Sequence, residues 1–305
     1  MIWLWIILVM LLLLIVLALY WAFKTAFMRS DIRLISFEAG PLAKYKDIFE
    51  NNFKYLDRLS NERVYVRSFD GLKLAASYYN NNSDTTILLF HGYRSDGRFD
   101  FACVVKFYIE LGLNVLVVDQ RANGESDGRL ITFGIKERRD VVAWANFINR
   151  NYSPKNIFLS GVSMGATTVM MASNLDLPDN IRGIIADCGF TAAPDIIKKV
   201  ARQAFKINAA PILPVLNLMC KLFGNFSLYE TSAQEALSQS DIPIFFIHGK
   251  SDGFVPCEMT EIAYSAARAE KHICLVEGAD HGISFLVDTE NIQKRISSFI
   301  KSNCS

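Results

Sequence analysis

Residues 157 to 165 read Ile-Phe-Leu-Ser-Gly-Val-Ser-Met-Gly. A short apolar run leads into Gly161-Val162-Ser163-Met164-Gly165, and small and apolar residues follow from Ala166 to Ala172. A serine between two glycines, after a strand and before a helix, suits a nucleophile held out of a sharp turn. Such a turn strains the serine backbone. Side chains two positions either side would collide, which glycine avoids. The N–H of Met164, first in the helix, is then free to face a developing oxyanion. Gly-x-Ser-x-Gly also occurs in plain turns, so the assignment depends on a base, an acid and a second N–H donor arriving from elsewhere.

A serine hydroxyl needs a base to take its proton and a carboxylate to orient that base. There are four histidines. His91 and His248 each stand at a strand end before glycine, in turn-forming positions, and His272 opens a strand. His281 lies in the loop Gly278-Ala279-Asp280-His281-Gly282 after the last strand, free to reach over the sheet, and is the expected base. Asp280 is its immediate neighbour and cannot fold back onto its ring with good geometry. Asp252, from the loop His248-Gly249-Lys250-Ser251-Asp252, can, and is the expected acid. Asp127 and Asp187 are weaker candidates for the acid, and their default reading is as solvated turn residues. The second oxyanion donor is expected from His91-Gly92-Tyr93-Arg94, at the Tyr93 N–H. Arg94 and Arg121 read as solvated or packing residues rather than as contacts to an anionic substrate.

The elements that must position these groups are legible as periodicity. Val64 to Arg67 and Leu72 to Tyr79 alternate around Asp70-Gly71, as a hairpin does. Thr85 to Phe90, Asn114 to Asp119, Ile157 to Ser160, Ile181 to Asp187, Ile242 to His248 and Ile273 to Glu277 are apolar runs suited to strands buried on both faces. Helical patterns lie between most of them, at Phe99 to Leu111, Lys136 to Asn151, Ala166 to Asn174 and Glu261 to Glu270, and a last one spans Thr289 to Lys301. This alternation predicts an α/β fold with a mostly parallel central sheet, helices on both faces and functional loops beyond the strands' carboxyl ends. An insertion at about 190–240 breaks it, with helical segments at Pro194 to Phe205, Ala209 to Leu222 and Ser232 to Leu237; it reads either as a cap that shapes a substrate pocket or as structural packing.

Residues 2 to 23 carry no charge, with Trp3 and Trp5 near one end and Tyr20 and Trp21 near the other. That is the length and aromatic-belt pattern of a membrane-spanning helix. A cleaved signal peptide fits less well, since no Lys or Arg precedes the run and no small-x-small site follows it. Lys24, Arg29 and Arg33 follow it, which places the large part in the cytoplasm. The chain thus divides into an N-terminal transmembrane anchor (1–29), a helical connector (30–60) with Phe37, Tyr45, Phe49 and Phe53 on one face, and a catalytic domain (61–305). With 32 basic against 31 acidic residues and no basic stripe, nothing argues for a nucleic-acid partner. The six cysteines contain no Cys-x-x-Cys pair, so no metal site is expected and they read as free thiols.

The order Ser163, Asp252, His281, each after a strand, resembles the α/β-hydrolase superfamily. His91-Gly92-Tyr93 is similar to its oxyanion loop, and Asp119-Gln120-Arg121-Ala122-Asn123-Gly124-Glu125-Ser126 to its Asp-x-Arg-Gly-x-Gly-x-Ser turn, with Ala122 where many members carry glycine. The likeness covers about 60 to 303. With the N-terminal helix, it is similar to bacterial membrane-anchored serine hydrolases grouped with esterases and prolyl-oligopeptidase-like peptidases. The resemblance implies a cofactor-free acyl-enzyme mechanism. Ser163 would attack, His281 shuttle the proton and Asp252 orient it, on a small acyl ester or lipid-like substrate. A peptidase, amidase or thioesterase of the same fold, or an idle binding scaffold, are the alternatives.

Overall fold

The computed structural model describes residues 1–30 and 42–304. Phe37 of the expected apolar face lies outside them. Eight strands form one sheet: β1 (Glu62–Arg67), β2 (Lys73–Tyr79), β3 (Thr85–Phe90), β4 (Asn114–Asp119), β5 (Asn156–Val162), β6 (Ile181–Asp187), β7 (Ile244–Gly249) and β8 (Lys271–Val276). Their order is β1-β2-β4-β3-β5-β6-β7-β8. The pairs β1–β2 and β2–β4 are antiparallel and the rest are parallel. Every residue of β3 and of β7 is buried, as their unbroken apolar runs demand.

Helices cover both faces. One side carries α2 (Lys46–Leu56), α3 (Gly97–Asp100), α4 (Ala102–Glu110), α11 (Ser284–Val287) and α12 (Thr289–Asn303), which share a core cluster with Ile87, Leu89, Phe158 and Phe245. On the other side α5 (Glu137–Tyr152), α6 (Met164–Ala172), α9 (Ala233–Ser238) and α10 (Cys257–Ala266) enclose Leu88, Phe90, Leu159 and Phe246, with Trp144 wholly buried. The expected helix Phe99 to Leu111 is broken at Phe101, where α3 ends. The one expected at Glu261 to Glu270 runs earlier, because Pro256 starts it and Ala267, in an extended conformation, ends it.

Between β6 and α9 stand α7 (Ala193–Phe205) and α8 (Leu213–Gly224), the body of the insertion. They form a third core cluster with Ile131, Phe133, Met164 and Phe226. The last turns of α1 (Ile2–Phe27) belong to that cluster too. This helix is long and apolar enough to cross a membrane, with a mean hydropathy of 3.3 in its most apolar window, and no residue of that window is buried. Its end differs. Phe23 and Phe27 are buried, with Phe27 packed edge-on against Phe133 at 5.4 Å. Burying each ring contributes about 2 kcal/mol. The Ile131 N–H donates to the Phe27 carbonyl (2.7 Å) and the Arg29 N–H to that of Arg129 (2.9 Å), which fixes the exit from the helix.

Candidate functional site

Ser163 joins β5 to α6 with φ 54°, a left-handed conformation that a residue with a side chain adopts only under constraint. The constraint is visible on both sides. A Cβ on Gly165 would lie 1.8 Å from the Phe90 carbonyl oxygen, and one on Gly161 would lie 2.3 Å from the Gly165 carbonyl carbon. The Ser163 N–H donates to the Asp187 carbonyl at 2.8 Å, which ties the elbow to the next strand.

The structure brings the three expected side chains together. His281 Nε2 is 2.9 Å from Ser163 Oγ, and His281 Nδ1 is 2.7 Å from Asp252 Oδ2. A carboxylate only accepts, so Nδ1 carries the proton and Nε2 is left to accept from the serine hydroxyl. Asp252 Oδ1 accepts the N–H groups of Phe254 and Val255, each at 2.8 Å. Although burial opposes ionisation, the hydrogen bonds from His248 and His281 hold this carboxyl well below the usual carboxylate range. Asp280 turns away from the ring. Its Oδ1 accepts the backbone N–H of His281 (2.7 Å) and of Gly253 (3.0 Å), which pins the two loops together.

The other histidines have structural partners. His91 is buried, and its Nε2 accepts from the Gln120 N–H at 3.0 Å, joining the ends of β3 and β4. His272 pairs with Glu270 at the surface. His248 does more than close a turn: its Nε2 donates toward the Val255 carbonyl (3.0 Å) and toward Asp252 Oδ2 (3.2 Å). It is a second donor to the acid, not foreseen from the sequence, although its place four residues before Asp252 was visible.

The loop after β3 passes against the serine. A Cβ on Gly92 would lie 3.4 Å from Ser163 Cβ and 3.3 Å from Asp100 Oδ2. Asp100 holds this loop by accepting from the Gly92 N–H (2.6 Å) and the Ser95 hydroxyl (2.5 Å). The N–H groups of Tyr93 and Met164 have no hydrogen-bond partner among the described residues, as donors awaiting an oxyanion would. The Tyr93 side chain points elsewhere. Its hydroxyl donates to the carbonyls of Ala26 (2.9 Å) and Thr25 (3.1 Å), and Arg94 Nη2 donates to those of Thr25 (2.7 Å) and Met28 (3.1 Å). Helix ends leave their last carbonyls unsatisfied. Here the loop after β3 caps them, and Arg94 packs against the end of α1. Arg121 also packs, bidentate to Asp140 (2.6 Å to each oxygen) and reaching Asp70 (3.0 Å).

Asp127 is the turn residue expected, accepting the Lys73 N–H. Asp187 is not a solvated turn. It ends β6 behind the elbow, its Oδ1 buried without a partner among the described residues, beside a cavity of about 50 Å³ that Val162, Gly282 and Tyr108 also line. Burial pushes its carboxyl up to about 6, against the pull of His248 and His281. Cys188 follows it, with its sulfur within 4.8 Å of the Asp252 and His281 ligand atoms. Burial and the carboxylates raise its thiol well above the ordinary range, which keeps it neutral. Ala122, standing where the family turn carries glycine, has φ 61°.

This sheet order, with the strained Ser163 turn after β5 and Asp252 and His281 in the loops after β7 and β8, defines the class: the chain belongs to the α/β-hydrolase superfamily and is a hydrolase. The family model described as "Serine aminopeptidase, S33" matches residues 81–227. The esterase Pf2001 of Pyrococcus furiosus is 26% identical, with a TM-score of 0.67 over 83% of this chain and 96% of that one. The uncharacterized protein YqkD of Bacillus subtilis is 25% identical over 221 residues, 72% of each chain. The uncharacterized membrane protein YNL320W of Saccharomyces cerevisiae is 26% identical over 198 residues, 64% of each.

Proposed function

We propose that the chain is a serine hydrolase of carboxylic esters, anchored in a membrane by α1. The observation that carries this reading is the linked series Ser163–His281–Asp252, at 2.9 and 2.7 Å, beside two unpartnered N–H groups. As Ser163 Oγ attacks the carbonyl carbon, its proton passes to His281 Nε2. Asp252 holds the Nδ1 proton and stabilises the imidazolium. The oxyanion is received by the N–H groups of Tyr93 and Met164. His281 then protonates the leaving oxygen, and water repeats the sequence on the acyl-enzyme. No step calls for a cofactor or metal. The esterase among the similar structures and the apolar insertion beside α1 support an acyl or lipid-like ester. Lys24 and Arg29, after the apolar run, support a cytoplasmic catalytic domain.

A second reading, a peptidase or amidase, draws on the description of the matching family model. One experiment separates the two. The full chain and Ser163→Ala are treated with a fluorophosphonate probe, then given an ester, a thioester and an amide of the same acyl group. Labelling lost in the variant, with the ester turned over fastest, is expected. Labelling that persists in Ser163→Ala removes the nucleophile assignment, and faster amide cleavage favours the peptidase. No labelling of folded wild type favours a binding scaffold.

A further inference from the structure

The insertion has an outer surface that the site does not use. On α7, α8 and the turn between them, Phe205, Ile207, Val215, Leu218, Leu222 and Phe223 are exposed, Leu222 to 70% and Phe223 to 66%. Large apolar residues grouped on a soluble surface mark a contact to something apolar. Their position says what. The ring of Phe205 meets that of Trp21 edge-on at 5.9 Å, and the ring of Phe223 lies 5.9 Å from that of Phe23. A hydrocarbon core of about 30 Å takes up about 20 residues of helix, so a span starting near Ile2 leaves it near Trp21. An α1 that spans the membrane therefore brings the end of α7 and the outer side of α8 to the level of the headgroups.

Charge supplies an independent argument. Between Ile196 and Tyr229 the chain has Lys198, Lys199, Arg202, Lys206 and Lys221 and no Asp or Glu, although the whole chain carries only +1. Lys198 pairs with Asp195, just before this stretch. The other four have no acidic partner among the described residues. Apolar residues with cations and no anions are the composition of a helix pair that lies in an anionic lipid surface.

We infer that the α7–α8 face is a docking surface for the anionic phospholipid leaflet that α1 leaves, seating the insertion in the headgroup layer. This rests on the proposed span of α1 but on no hydrolytic activity. A substrate dissolved in the leaflet would then reach the insertion without crossing water.

The test uses the full chain reconstituted in vesicles. Cys103, Cys257 and Cys304, the thiols that are not buried, are replaced by serine. Leu222→Cys is labelled with an environment-sensitive fluorophore, with Asn151→Cys on the exposed end of α5 as the aqueous reference. Vesicles of phosphatidylcholine are compared with ones containing a third phosphatidylglycerol, each with and without brominated acyl chains. The expected result is blue-shifted emission and at least twofold quenching at 222 in the anionic vesicles, less in the neutral ones, and none at 151. Replacing Lys199, Arg202, Lys206 and Lys221 by glutamine should remove the difference between the vesicles. Emission at 222 that matches 151 in both vesicles overturns the docking surface. Equal insertion in both overturns its preference for anionic lipid. Fluorophosphonate labelling of the same samples reports the serine site separately, so failure of the esterase reading and failure of this one are distinguishable.

Discussion

Tyr93→Phe removes one oxygen atom and should slow the enzyme. The backbone N–H that would face the oxyanion stays, and so does the ring stacked on Phe133 at 5.2 Å. What goes is the hydroxyl bond to the carbonyls of Ala26 and Thr25. Burial pushes that hydroxyl up to about 12, so it is a donor throughout the neutral range. Arg94 still reaches Thr25, which leaves the Ala26 carbonyl without its side-chain donor. An unsatisfied buried group costs about 1–3 kcal/mol; Ala26 is half-buried, so about 1–2 applies. The loop between Gly92, held by Asp100, and the end of α1 is then free to relax. Transferred to the transition state, the same energy lowers kcat about fivefold to thirtyfold. Losing the Tyr93 donor altogether sets a ceiling of about 10²–10³. Steady-state kinetics of the full chain on a chromogenic ester, with a melting curve beside it, would measure this. A lower melting temperature with kcat within about twofold of wild type would refute the reasoning, because the bond would then hold the helix without holding the oxyanion loop.

Ser163→Ala should abolish hydrolysis with little change in melting temperature; residual turnover by the purified variant would place the nucleophile elsewhere. Asp252→Asn should lower kcat by about 10⁴ by presenting the wrong histidine tautomer, and kinetics at constant pH would check it. Arg121→Gln leaves Asp140 buried without its bidentate partner and should cost about 3–5 kcal/mol in denaturant unfolding. Asp187 titrates at about 6 in the fold, against about 3.9 unfolded, because burial favours its neutral form. Its stabilising share is complete below about pH 4 and is lost as the pH rises through about 6. Asp187→Asn should therefore gain on wild type by up to about 3 kcal/mol across that window; a difference that stays flat with pH would contradict it.

The sheet was legible because strands buried on both faces write themselves as unbroken apolar runs. Thr85–Phe90, Asn114–Asp119 and Ile181–Asp187 have the bounds expected of them. Ser163, Asp252 and His281 were legible because each follows a strand on the edge where loops converge. Long-range pairings left no such signal. The second histidine on Asp252, the burial of Asp187 and the Asp100 brace under Gly92 depend on which side chains packing brings together. The end of α1 was least legible. A helix apolar all round reads as facing lipid along its whole length, and nothing in its periodicity separates the turns that meet protein from those that do not.

That helix end also decides where the protein can be cut. Thr25, Ala26 and Met28 lend carbonyls to the loop after β3, while Phe23 and Phe27 fill the core of the insertion. Trimming the chain to residue 30, the obvious route to a soluble enzyme, removes a plug rather than a tether. It uncovers the rings of Phe133 and Phe226, against which Phe27 packs. The turns of α1 after Trp21 pack with the rest of the fold, so a preparation meant to keep the native site must carry them.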